Sequence, residues 1–159
     1  VSQQQLDENL AYVALGKTEG AELACGGDRL TRDTDGYFMA PGVFLNTTND
    51  MRINREEMFA PLAAVIKVDS YSEALHVVND THFGLTSGIV TRSLSRATHF
   101  SRNARTGCVM VNLPTAGTDY HVPFGGRGDS SYGTREQGTY AAEFYTTVKT
   151  AYIASGTPE

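Results

Sequence analysis

Positive charge is in short supply: 13 Lys and Arg stand against 18 Asp and Glu, a formal net charge of −5 over 159 residues. Proteins that grip nucleic acid draw affinity from neutralising phosphates, so no nucleic-acid partner is expected. Long apolar runs are missing too. No stretch approaches the roughly 18 consecutive apolar residues of a membrane span, and Val1-Ser2-Gln3-Gln4-Gln5 lacks the basic-then-apolar order of a secretory signal. The expectation is a soluble, cytoplasmic protein with no membrane partner. Cysteine is scarce: Cys25 and Cys108 make no disulfide framework and fit no metal or redox spacing. Cys108 lies in an apolar run, where a thiolate is desolvated, with no His or Asp placed by sequence to activate it. It reads as a structural thiol, and Cys25, before two glycines, as a turn-flanking one. His76, His82, His99 and His121 show no helical pairing with one another, so no metal site is expected. Phosphate loops are also lacking, because Gly125-Gly126-Arg127-Gly128 matches neither GxxxxGK[S/T] nor GxGxxG. The tripeptide Arg127-Gly128-Asp129 reads as coincidence.

What is present is enough apolar material, 40 % of the residues, for one domain or one complete piece of a larger domain. Ser2 and Gln5 form a capping box, with Val1 able to staple onto Leu6. Leu6, Leu10, Val13 and Ala14 then share a helical face, so a helix is predicted from Gln3 to Leu15 with Gly16 as a left-handed stop. A short strand ending at Cys25 follows, then a Gly26-Gly27-Asp28 turn and an extended run from Tyr37 to Leu45. Pro41-Gly42 interrupts that run, which suits an edge or irregular segment. From Leu62 the order is strand (62–68), helix (boxed by Ser70 and Glu73, through Val78), strand (88–90), helix (Leu94 to Ala104, stopped by Gly107) and strand (108–111). Nearly unbroken apolar strands alternating with helices imply an α/β, parallel-sheet, three-layer αβα architecture. Leu113 to Ser131 is long for a connection and follows a strand's carboxyl end, where ligands bind in open α/β sheets. A short helix is predicted from Glu136 to Phe144. Tyr145 to Ile153 reads as a terminal strand that needs a partner.

Arg55-Glu56-Glu57-Met58-Phe59-Ala60-Pro61 sets two carboxylates and an aromatic before a proline, just ahead of the first regular strand. The residues alone leave open whether this is a helix end with solvated glutamates and a core Phe or a functional segment. A wider pattern bears on it. Gly36-Tyr37-Phe38 with Pro41 and Phe44, Met51-Arg52-Ile53, Glu56 to Pro61, Phe83-Gly84-Leu85, Val111-Asn112 and Pro123-Phe124-Gly125-Gly126 resemble the aldehyde dehydrogenase superfamily in order and spacing, over about Val1 to Ile153. Within it, Val111 to Gly117, Asp119 to Phe124 and Arg135 to Gly138 resemble the α-ketoglutaric semialdehyde (2,5-dioxopentanoate) dehydrogenases.

The resemblance implies residues 1–144 as the C-terminal part of an aldehyde dehydrogenase catalytic domain and 145–159 as an oligomerisation strand and tail. By the same resemblance Glu57 accepts from the nicotinamide ribose hydroxyls of NAD or NADP, and Phe59 packs near that ribose. Pro114 and Thr115 belong to the substrate-entry loop, Phe124 lines the aldehyde channel, and residues 145–153 join a neighbouring subunit in a homo-oligomer. Family members are roughly three times this length. Their nucleophilic Cys, general-base Glu and oxyanion Asn precede the stretch that Val1 opens, so no catalytic residue is assigned here and the isolated chain is expected to be inactive. The missing initial Met and the start at a helix cap fit a segment of a longer chain. Ala60 stands where the family usually has Gly, and Gly128-Asp129 where it usually has Lys-Gly. A second reading from another class is a stand-alone, non-catalytic α/β interaction module with the same fold.

Overall fold

In the computed structural model, which describes residues 2–156, the chain divides into two compact units, Val1–Val77 and Val78–Glu159. The first opens with α1 (Gln3–Thr18). The Ser2 hydroxyl accepts from the Gln5 N–H at 3.2 Å, as the capping box predicts. The Gln5 side chain leaves the box and donates to Asn9 instead, at 2.9 Å. The proposed staple from Val1 lies outside the described residues.

Helix α1 continues past Leu15, because Gly16 is not its stop. The Ala21 N–H donates to Gly16 O at 2.9 Å and the Gly20 N–H to Lys17 O at 3.2 Å, a Schellman closure with Gly20 at the left-handed position, φ 93°. Gly16 does something else: a Cβ there would sit 2.8 Å from Cζ of Phe44. The missing side chain lets α1 settle directly onto the ring of the most deeply buried residue in this unit.

Strands β1 (Glu22–Cys25), β4 (Gly42–Thr47) and β5 (Leu62–Ile66) form a sheet with β4 in the middle, while β2 (Arg29–Leu30) and β3 (Phe38–Met39) make a two-stranded ribbon. Pro41 falls between β3 and β4, outside both. Strand β4 pairs parallel with β5, while β1, which precedes the stretch read as a parallel sheet, pairs antiparallel with β4, so this sheet is mixed. The connections explain the difference. The β2–β3 ribbon reverses the chain between β1 and β4, whereas the crossover from β4 to β5 carries a helix and so restores the strand direction. Val13, Ala21, Phe44 and Ile53 form the core of this unit, ringed by Tyr12, Leu15, Leu23 and Met58 among others. Along β5 half-buried and exposed residues alternate, with Val65 46 % exposed, so this strand is not buried on both faces as its apolar run suggested. Helix α3 (Tyr71–Asn79) begins as predicted: Ser70 Oγ accepts from the Glu73 N–H at 3.1 Å, and the Glu73 carboxylate accepts from the Asp69 N–H at 2.8 Å.

In the second unit β6 (Thr86–Ile89) and β7 (Cys108–Val111) pair in parallel, joined through α4 (Leu94–Asn103) in the predicted strand-helix-strand order. Helix α4 is capped by the Ser93 hydroxyl and buries Phe100. It ends with Ala104 as its C-cap, so Gly107 is not its stop. A Cβ on Gly107 would lie 1.9 Å from the Gly125 carbonyl oxygen, and the residue is small to admit that backbone. The predicted helix over 136–144 resolves into a 3-10 turn (Gly138–Tyr140) and a short α5 (Ala141–Tyr145). Tyr145 closes α5, and residues 146–156, read as a strand whose partner is a neighbouring subunit, form no ladder within the described chain itself. A strand exists by virtue of the neighbour that satisfies its backbone, and here Tyr145, Val148, Tyr152 and Ile153 are exposed.

Candidate functional site

Four residues of α2 (Arg52–Arg55) are too few to hold a helix by local bonds alone. Helix α1 holds it at both ends. Met51 offers no side-chain cap, and Glu19, just past the end of α1, takes that part. Its carboxylate accepts from the Arg52 N–H at 2.9 Å and from the Ile53 N–H at 3.4 Å, placing negative charge at the positive end of the helix. At the other end the Glu56 carboxylate accepts from Arg52 Nε at 2.6 Å, from Arg52 Nη2 at 3.1 Å and from the Tyr12 hydroxyl at 3.1 Å. The Glu56 N–H donates to Arg52 O at 2.8 Å. Tyr12 and Gly16 on α1 and Glu19 at its C-cap recur at helical spacing, so one stripe supplies the tether, the close approach and the cap.

The electrostatics agree with these bonds. The Arg52 guanidinium, followed by the Tyr12 hydroxyl, holds the Glu56 carboxyl below its ordinary value. Burial first, then the hydrogen bond to Glu56, pushes the Tyr12 phenol above its own.

Beyond Glu56 the chain leaves α2 with no regular structure until β5. Glu57 and Phe59 lie on this span, and both are exposed, Phe59 by 81 %. The reading of Phe59 as a core residue is overturned. Phe59 also takes a left-handed φ of 48°, which costs an L-residue roughly 1–2 kcal/mol. The left-handed angle falls on Phe59 and not on Ala60, so alanine fits where the family's usual residue is Gly. Downstream, Pro61 O accepts from the Gly42 N–H at 2.9 Å, which fixes the far end of the span to the sheet. The span thus presents an exposed carboxylate, an acceptor with up to four lone-pair directions, and an exposed aromatic face two residues on.

In the second unit, Asn112 joins the carboxyl ends of β6 and β7. Its backbone is left-handed, φ 56°, its Oδ1 accepts from the Thr91 N–H at 2.8 Å, and its Nδ2 donates to Thr91 O at 3.0 Å. Beside this bracket lies an open groove of about 730 Å³ lined by Val90, Thr91, Arg92, Asn112, Leu113 and Pro114. Pro114 is thus at the groove. Thr115 packs its methyl by Gly88, 3.0 Å from where a Cβ would stand, and Phe124 is half-buried; neither lines the groove.

Phe124 sits in a bonded loop. Its carbonyl accepts from the Glu136 N–H at 3.0 Å, and Arg135 donates to Gly126 O at 2.8 Å. The Gly84 carbonyl accepts from both the Gly107 and Arg127 N–H groups, each at 2.9 Å. The Arg-Gly-Asp tripeptide is part of the same turn, with the Asp129 N–H donating to His82 O at 3.0 Å. Cys25 is exposed, and Cys108 is half-buried with its sulfur 3.8 Å from Gly125 O. Among the described residues no three His, Cys, Asp or Glu gather as a metal site, and no helix is long and apolar enough to cross a membrane.

The sequence reading did not single out Tyr12, Arg92, or Arg52 as Glu56's partner. The spacing of Arg52 and Glu56, four apart, was a usable signal for an ion pair. Nothing local connects Tyr12 to Glu56.

Comparison with known proteins extends this picture over nearly the whole chain. An alpha-ketoglutaric semialdehyde dehydrogenase of Bacillus subtilis is 42 % identical over 154 residues, 96 % of this chain and 32 % of the relative. An alpha-ketoglutarate semialdehyde dehydrogenase of Haloferax volcanii is 42 % identical over 155 residues, again 96 % of this chain and 32 % of the relative. The chain therefore spans about a third of the length of these curated relatives. Among solved structures, the indole-3-acetaldehyde dehydrogenase of P. syringae in complex with NAD+ superposes with a TM-score of 0.89 at 38 % identity, over 96 % of this chain and 30 % of that one. An NAD+ complex of an aldehyde dehydrogenase from Bacillus cereus gives 0.88 at 35 % identity, with the same coverage. The sequence model of the aldehyde dehydrogenase family matches residues 1–151. With the motifs, the layered fold and this match in agreement, the chain belongs to the aldehyde dehydrogenase family.

Proposed function

We propose that this chain is the C-terminal part of the catalytic domain of an NAD(P)-dependent aldehyde dehydrogenase acting on α-ketoglutaric semialdehyde, in which Glu57 and Phe59 hold the nicotinamide end of the cofactor. The observation that carries the reading is the span between α2 and β5, where Glu57 is exposed and Phe59 is exposed in a left-handed conformation. Strain of that kind persists only where surrounding bonds over-determine it, and it clusters at functional positions. A carboxylate accepts from both hydroxyls of a vicinal diol, and an aromatic face restricts a flexible riboside to few poses. A bound nicotinamide cofactor would supply the hydride acceptor for the oxidation, and that chemistry would be the cofactor's own.

Pro114, Thr115 and Phe124 are assigned to aldehyde entry and the channel wall on the strength of the resemblance, with Pro114 supported by its place at the groove. The substrate assignment rests on the two semialdehyde dehydrogenase relatives at 42 % identity. The exposed apolar residues over 145–153 are assigned to pairing with a neighbouring subunit. Nucleophile, general base and oxyanion donor are assigned to a part of the polypeptide other than these 159 residues.

The test is Glu57→Gln in the complete polypeptide that carries this segment. An amide keeps the shape but loses charge and part of the acceptor capacity, so NAD(P)H affinity is expected to fall about tenfold, the scale of one charge-assisted hydrogen bond. Hydride transfer should slow with it. Wild-type affinity and transfer rate together would reject the assignment.

A further inference from the structure

We propose that Tyr12 is a positioning residue for the nicotinamide cofactor, acting through Glu56 to set the course of the Glu57–Phe59 span. This inference rests on the assignment of Glu57 and Phe59 to the cofactor. It goes beyond that assignment because neither Tyr12 nor Glu56 lies on the span itself.

The span has few means of holding its own shape. Residues 57–60 belong to no helix or strand, and Phe59 is kept in a backbone region that an L-residue avoids when free. Met58 packs the middle of the span against the core of the unit, and its course is otherwise set at its two ends. The downstream end is the hydrogen bond from the Gly42 N–H to Pro61 O, fixed to the central strand β4. The upstream end is Glu56, whose carboxylate is held by Arg52 and by the Tyr12 hydroxyl. The two partners differ in what they fix. Arg52 belongs to α2 and moves with Glu56, so that ion pair stiffens α2 internally. Tyr12 belongs to α1, a sixteen-residue helix packed on Phe44 through Gly16, and ties the start of the span to the rigid part of the unit. Glu19 fixes the other end of α2 to the same helix, so a loss at Tyr12 frees the end nearest Glu57 while leaving the far end capped. A displacement of about 1 Å in a positioning group is enough to cost large factors in a reaction that depends on alignment.

The experiment uses the complete polypeptide carrying this segment, with NADH bound and followed by its own fluorescence. Tyr12→Phe keeps the ring and removes the hydroxyl. NADH binding is expected to weaken about threefold to tenfold, the scale of one net hydrogen bond. Hydride transfer should slow, while the aldehyde KM and the melting temperature stay near wild type. Glu56→Ala removes the same tether from the other side and serves if Tyr12→Phe fails to fold. It should weaken NADH binding at least as much, and the double variant should bind no worse than Glu56→Ala alone, because the two residues act as one device. Wild-type NADH affinity in Tyr12→Phe or Glu56→Ala, or additive losses in the double variant, overturns the inference. If Glu57→Gln is impaired while Tyr12→Phe is not, only the positioning role fails. If Glu57→Gln is itself unimpaired, the cofactor assignment fails and takes this inference with it.

Discussion

Gly16 and Phe59 illustrate two residues whose identity is set by opposite demands. Gly16 lies inside a helix, where alanine would be favoured by about 1 kcal/mol on propensity. A Cβ there would meet Phe44 at 2.8 and 2.9 Å and Ile53 at 3.3 Å, and Phe44 has no exposed surface through which to move away. Overpacking of that kind costs about 1–3 kcal/mol, so the clash outweighs the propensity gain. Gly16→Ala is therefore expected to lower stability by about 1 kcal/mol in chemical denaturation, and a gain in stability would show that the Phe44 ring is free to shift. Phe59 is the reverse case, a large side chain held left-handed with 81 % of its surface exposed. Phe59→Gly relieves roughly 1–2 kcal/mol of backbone cost and forfeits little burial, against about 0.5–1 kcal/mol of added chain entropy. Thermal unfolding should stay level or rise while hydride transfer slows in single-turnover kinetics. A variant that melts earlier and transfers hydride normally would place the role of Phe59 in folding.

The tether between α1 and α2 has a pH window that follows from its two titrating groups. Glu56 is held below the ordinary carboxylate value, chiefly by Arg52. Its contribution is fully present above the ordinary carboxylate range and is lost as pH falls through the lowered value. Tyr12 is held above the ordinary phenol value, by burial and by Glu56. That contribution is full below a pH of about 10 and is lost as pH rises through the raised value. Denaturant unfolding of the wild type and of Glu56→Gln should accordingly differ at neutral pH and converge in acid. The difference is expected to be small, because the Arg52–Glu56 ion pair is open to solvent, and to shrink further with added salt. A difference that persisted unchanged into acid would remove the carboxylate from the tether. At this same scale the capping residues Ser2 and Ser70 show why helix starts were readable from the sequence, and Ser93, not singled out there, caps α4 by the same kind of bond. Each cap is a bond between residues three apart, so the signal is local. Helix ends were less readable, because Gly16 and Gly107 serve close approaches that no local pattern distinguishes from a stop.

Taken whole, the chain carries the span proposed to hold the cofactor in one unit and the groove beside Pro114 in the other, and the nucleophile is proposed to lie elsewhere. The purified 159-residue chain is therefore expected to give no cofactor-dependent oxidation of aldehyde; a robust NADH signal from it would overturn the account of where the reactive sulfur belongs. Family membership, the α/β class, the strand-helix-strand order and the Glu56-to-Pro61 and Pro123-to-Gly126 motifs were determined by the sequence itself, since each rests on residues close in the chain or on a motif order that few sequences share. Tertiary structure decided the rest. It set β1 antiparallel beside the parallel pair β4 and β5, because strand direction depends on which segments return beside β4. It left residues 146–156 without a ladder, because a strand is made by its neighbour. It moved Phe59 from candidate core to exposed surface and joined Tyr12 to Glu56 across 44 positions of chain. Burial and long-range hydrogen bonds are properties of the packed chain, and no spacing along the polypeptide contains them.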